Sequence, residues 1–283
     1  MWFLEAFVSG FTLPTHEWRL QVFRIIIGAA CLLKFSLALG GGGLQRYSSD
    51  GYPYYSLVKR HGEDRARIIA RLYKPVVMLR IPAAASLMLG LYPKIAALLV
   101  LLALAYELLY NYRSNTTYLG LAVAPLLIAG SLGHGLDISM TAISSSNTWA
   151  QWLIVLITID MYWNSAWIKA RTPQFTSGLG LSQYLQVCAS VKDSLPAKEY
   201  YFPKCVYTLI GDGSARAQRI WSVASHLTLA AEIALPVGLL VPVLTPTAFA
   251  VGIVLHTAFV FLSPRNIVGF SVGTVGSYVL FAN

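Results

Sequence analysis

The chain has 283 residues, 56% of them hydrophobic and only 12% charged, with a mean hydropathy of +0.60. A soluble globular domain carries roughly 25% charged residues, so this composition leaves too little polar surface to face water and excludes an ordinary soluble domain. The net charge of +9 is read as basic loops flanking a membrane. Nucleic acid is excluded as a partner, because no basic stripe is interleaved with stacking aromatics.

The N-terminal stretch MWFLEAFVSGFTLPTHEW has no basic n-region, contains Glu5 and lacks a small-residue cleavage site, so it does not read as a signal peptide. Its Trp2, Phe3, Phe7, Phe11 and Trp18 suit a segment at the membrane interface. A spanning helix needs roughly 20 mostly apolar residues. The expected fold is all-α integral membrane, a single transmembrane domain over 1–283, with about eight spans near 19–41, 75–92, 94–112, 118–133, 149–168, 220–240, 243–262 and 266–282. Pro93, the Pro242 and Pro246 pair, and Pro264 punctuate the closest of these, as residues that end helices should. The 118–133 segment is short and Gly-rich.

Two long loops lie between spans. Loop 42–74 holds Arg46, Lys59, Arg60, Arg65, Arg67, Arg71 and Lys74, and loop 169–219 holds Lys169, Arg171, Lys192, Lys198, Lys204, Arg216 and Arg219. Eight spans put both on one side, and the positive-inside rule makes that side cytoplasmic with both termini outside. Leu181, Tyr184, Leu185 and Cys188 follow helical spacing, which predicts a surface helix over 179–190; residues 63–73 suit a similar one. Cys188 and Cys205 share the second loop, as a disulfide or as two reduced thiols. Cys31 reads as packing. No cysteine spacing suggests a metal site.

Ionisable groups at membrane depth are costly and mark sites, structural ion pairs or snorkelling side chains. Lys34, Arg80, Glu107, His226 and His256 fall at similar depth, toward the loop-rich ends of their helices. Asp160 and Asn164 are four residues apart on the helix that ends at Lys169. One polar cavity opening toward the long loops is expected, lined by Asp160, Asn164, His226, Glu107, Arg80 and Lys34, with Lys169, His256 and Glu232 as candidate catalytic residues. His226 and His256, on consecutive helices, suit a haem or metal pair, hydrogen-bonded structural roles, or one acid/base histidine. Gly269 and Gly273 form a GxxxG helix-packing motif. The glycines at 40–43 precede no Lys-Ser/Thr and form no phosphate loop.

Four stretches together resemble the membrane domain shared by vitamin K-dependent gamma-carboxylase and its small bacterial relatives, the horizontally transferred transmembrane (HTTM) family. They are FRIIIGAACLLK at 23–34, YSSDGYP at 47–53, YWNSAWIKARTPQFTSGLGL at 162–181, and EIALPVGLLVP at 232–242 followed by His256. The resemblance implies that Lys169 stands where the carboxylase has the base that deprotonates vitamin K hydroquinone. A lysine removed from water can serve as a base; a lysine closing a span is also an ordinary anchor. The chain departs from the pattern in having Thr116 where a functional His precedes the Tyr-Leu pair, no acidic residue after Lys169, and Phe175 for a Trp. No large domain like the one that follows the membrane region of the carboxylase is expected. These departures point away from glutamate carboxylation and toward relatives that mature peptides. The cofactor is left open, and the partners implied are the lipid bilayer and a peptide or lipid-soluble substrate. A non-catalytic subunit docking onto a larger membrane-protein complex, or a quinone- or haem-handling redox subunit, are the competing readings.

Overall fold

A computed structural model describes residues 13–40, 52–110, 113–191 and 213–281. The described chain is almost wholly helical and divides into two compact units, 1–157 with 268–280, and 158–267 with 281–283. Five helices are long and apolar enough to cross a membrane, as an all-α membrane protein requires.

In the first unit, α1 (Glu17–Gly40), α3 (Glu63–Leu89) and α4 (Pro93–Tyr110) pack in sequence, with the shorter α2 (Tyr52–His61) on α3 and α5 (Ser114–Val123) on α4. Residues 63–73, expected as a separate surface helix, instead form the first turns of α3, which continues through Pro75 and Pro82. Close helix approach is set by small residues. A Cβ on Gly28 of α1 would fall 2.5 Å from the Met88 backbone nitrogen of α3. The GxxxG motif does the same on α11 (Pro264–Ser277): a Cβ on Gly269 would lie 2.7 Å from the Ala30 carbonyl oxygen, and one on Gly273 would lie 2.9 Å from Ile27 Cδ1. Without a hydrophobic drive between helices in lipid, such approach supplies much of their association.

The expected span over 118–133 is a helix only in part. α5 passes into a 3-10 turn at Ala124–Leu127, and the backbone beyond is irregular. Non-helical backbone at membrane depth needs protein partners. Asn147, fully buried, supplies them, accepting from the Ser131 amide at 3.0 Å and donating to the Ser131 carbonyl at 3.0 Å.

One end of this unit is tied together. β1 (Thr15–His16) pairs antiparallel with β2 (Ile143–Ser144), the Ser139 amide donates to Gln21, and Thr148 donates to the Leu13 carbonyl. The start of α1 and loop 134–148 therefore share an end of this unit. Arg24 sits beneath it, fully buried. Its Nη1 donates to the Leu87 and Met88 carbonyls at 2.9 and 3.0 Å and its Nη2 to the Gly135 carbonyl at 2.7 Å. The first two are among the last carbonyls of α3, Leu87 also accepting from the Gly90 amide at 3.3 Å, at the helix end where unpaired carbonyls collect and the dipole favours a cation.

The second unit holds the end of α6 (Thr148–Ala170), α7 (Pro173–Thr176), α8 (Leu179–Val191), α9 (Ala215–Leu240) and α10 (Thr245–Leu262). α6 is long, but Gln151, Asp160 and Asn164 keep it out of the five most apolar helices. The expected helix over 179–190 is α8, its Ser182 and Leu185 buried. It is held on the unit by Tyr184, which donates to the Leu262 carbonyl at 3.0 Å. Gly178, at a positive φ of 74°, brings the turn before α8 onto the α9 backbone, where a Cβ would meet the Ser222 nitrogen at 2.3 Å. Residues 192–212, Cys205 among them, and the Cys188 side chain lie outside the described residues, so the possible disulfide does too. Residues 1–12 of the N-terminal interface segment, with Trp2, Phe3, Phe7 and Phe11, also lie outside them.

Candidate functional site

The candidate residues fall into two groups, one in each unit. In the second unit, Tyr162, Ser165, Ala166 and Lys169 form one stripe of α6, at the three- and four-residue steps that share a helix face. It faces α9 and α10. Lys169 Nζ makes an ion pair with Glu232 Oε1, and Ser165 Oγ donates to the same oxygen at 3.2 Å. The Glu232 side chain is 3% exposed and that of Lys169 24%. The ammonium also lies over two rings, 5.5 Å from the Phe175 centroid and 5.0 Å from that of Phe259, a cation–π setting that partly replaces lost hydration. His256, 3% exposed, is hydrogen-bonded through Nε2 to the Tyr162 hydroxyl at 2.6 Å, and its ring meets Phe259 edge-on at 5.7 Å. Phe259 thus touches both Lys169 and His256.

Glu232 Oε2 is buried without a hydrogen-bond partner among the described residues, as is the Ser225 hydroxyl on the same helix. Buried polar atoms are normally satisfied, and this carboxylate oxygen beside a lysine has the capacity to accept a further hydrogen bond.

Lys169, Glu232 and His256 come together as candidate catalytic residues should. Asp160 and Asn164 do not join them; both are on the exposed face of α6. Lys169 lies five residues beyond Asn164, about 140° around a helix of 3.6 residues per turn, so a face through 160 and 164 does not lead to it. His226 also stands apart, on the exposed face of α9, with Nδ1 donating to the Ser222 carbonyl one turn back at 2.8 Å. A haem or metal held between His226 and His256 is not supported by these partners. Among the described residues no three His, Cys, Asp or Glu side chains converge. Tyr162 and Ser165 were missed in the sequence. Their spacing from Lys169 placed them on its face, but neither is ionisable.

The other group is in the first unit. Lys34 of α1 pairs with Glu107 Oε1 of α4 at 2.7 Å, and Thr116 of α5 donates to that oxygen at 3.1 Å. Arg80 of α3, 1% exposed, approaches Glu107 Oε2 at 3.7 Å, donates to the Tyr110 hydroxyl at 3.3 Å, and stacks on the Phe35 ring at 4.8 Å. The shared depth of Lys34, Arg80 and Glu107 is thus a real contact among three helices. Thr116 belongs to this group.

Comparison of the chain with protein-family models, with curated proteins and with solved structures finds no match.

Proposed function

We propose that the chain is an HTTM-like multi-pass membrane protein in which Lys169 and Glu232 remove a proton from a lipid-soluble or peptide substrate during its modification or maturation. The observation that carries this reading is the orphan Glu232 Oε2 beside the Lys169 ion pair. A second support is that the two stretches most like the carboxylase, 162–181 and 232–242 with His256, supply the members of this one cluster.

The chemistry follows from the atoms. A substrate O–H or N–H donates to Oε2 and is thereby oriented. A proton passes from Nζ to Glu232 Oε1 along their contact. With that proton on Glu232, Nζ is a free amine and takes the substrate proton; the substrate anion is left beside the new ammonium. Phe175 and Phe259 hold water away from the amine, and the Tyr162–His256 pair stands next to it as a relay. The 24% exposed side of Lys169 is the approach for substrate.

In the membrane, this reading takes α5 with its irregular extension, α6 and α11 as passes alongside the five apolar helices. That gives eight, with both termini outside and loops 42–74 and 169–219 cytoplasmic. α8 lies at the surface over the Lys169 end of α6.

Glu232→Gln tests the reading. The amide keeps the size and an acceptor oxygen but cannot take the Lys169 proton. Lipid and peptide extracts of membranes expressing wild-type protein should contain a product absent from membranes lacking it. In Glu232→Gln at equal expression that product falls on the order of 10²–10⁴-fold, the range for one acid–base group. Undiminished product in this variant makes the pair a structural pin between α6 and α9.

A further inference from the structure

The Arg80 group has a charge and hydrogen-bond imbalance of its own. Two cations, Lys34 and Arg80, share a single carboxylate, Glu107, so the cluster carries one net positive charge among the described residues. Arg80 uses only Nη1. Its Nε and Nη2 are both buried with no partner among the described residues. Those two nitrogens form the side-on edge of the guanidinium, the planar fork that receives both oxygens of a carboxylate or phosphate. Arg24 differs at Nη2: both of its terminal nitrogens donate to backbone carbonyls, and only its Nε is without a partner among the described residues.

A buried, uncompensated guanidinium is expensive, since each charge withdrawn from water costs several kcal/mol unless paired. A monoanion seated on the fork removes both defects, giving two donors their acceptors and bringing the cluster to neutrality. Phe35 against the guanidinium face fixes the plane of the fork. Lys34, 14% exposed, is where the cluster reaches the unit's surface. Thr116 and Tyr110 hold the rest of the network, so the fork is left as its one unused face.

We infer that the Arg80 Nε–Nη2 fork in the Lys34–Arg80–Glu107 cluster is a binding site for a singly charged oxyanion, the carboxylate or phosphodiester of a membrane-soluble molecule. The inference is independent of the Lys169 chemistry, since it rests on residues of the other unit.

The test uses the full chain, delipidated in a neutral sugar detergent. Saturable binding is measured for radiolabelled oleate and for a lysophospholipid with a phosphodiester, with acetate and inorganic phosphate as competitors. One lipid bound per chain is expected. Displacement by acetate or phosphate at comparable affinity would identify a free anion as the occupant; failure of both to compete identifies the lipid headgroup. Arg80→Lys keeps the charge but loses the fork and should weaken binding at least about tenfold. Glu107→Gln removes the competing carboxylate and should tighten binding by about the same factor. Should Arg80→Lys fail to fold, Glu107→Gln still decides by moving affinity in the opposite direction. Absence of saturable binding by all four probes, or an affinity unchanged by Glu107→Gln, overturns the inference.

Discussion

Lys169→Met lowers the stability of the purified protein by about 3–5 kcal/mol, the cost of breaking a buried ion pair from one side. The size follows from which partner is left behind. Glu232 is 3% exposed, so without Lys169 its carboxylate remains buried with only the Ser165 hydroxyl as donor. Glu232→Leu is milder, because Lys169 is 24% exposed and its flexible stem can carry the ammonium toward water. The double variant Lys169→Met/Glu232→Leu should recover most of the loss, as apolar replacement of a whole buried pair usually does. In a thermal melt the single variant drops by on the order of 10 °C, and the coupling between the two sites reads the pair directly. Equal melting of Lys169→Met and wild type would mean that Glu232 reaches solvent, and the buried cluster would be wrong.

Arg24→Met has the second large effect, at about 2–4 kcal/mol. The side chain volume is kept, but the Met88 and Gly135 carbonyls lose the Arg24 donor, at roughly 1–3 kcal/mol for each one left unsatisfied, while Leu87 keeps the Gly90 amide. Removing a buried cation that has no carboxylate partner offsets part of that. The damage is local: the C-terminus of α3 and the Gly135 turn release each other. Hydrogen exchange should therefore quicken at 86–91 and near 135 before it quickens in α9 or α10. Arg24→Lys restores part of the loss, since an ammonium retains the favourable charge at the helix end without the two-armed reach. A wild-type melt in Arg24→Met would show that these carbonyls find other partners.

Much of the fold is legible in the sequence because lipid imposes a simple rule: long apolar runs must satisfy their own backbone, and proline marks their ends. The turn at 241–244, the start of α4 at Pro93 and the start of α11 at Pro264 all follow from it. The rule fails where tertiary partners replace the helix. Nothing local signals that Asn147 would hold Ser131 across sixteen residues, so the 118–133 segment reads as a plain span. Nor does hydropathy reveal that the polar start of α3 continues without a break into its apolar part. For the sites, depth along each helix was readable and brought Lys34, Arg80 and Glu107 together. Depth alone does not give the direction in which a side chain faces. A rotation of 100° per residue separates the Asp160 face from the Lys169 face, and the same arithmetic identifies Tyr162 and Ser165. The partner of His256 is an uncharged tyrosine, which a search for ionisable groups passes over.

The account turns on Lys169 accepting a proton rather than only anchoring α6. Its direct measurement is the amount of product in membrane extracts from cells making wild-type, Lys169→Arg and Lys169→Met proteins at equal levels of folded chain. Arginine keeps the positive charge and can hold Glu232, but the guanidinium scarcely deprotonates, so it anchors without acting as a base. The account predicts loss of the product in both variants, with Lys169→Arg as stable as wild type. Full product from Lys169→Arg would contradict it and leave Lys169–Glu232 as an ion pair that only fastens α6 to α9.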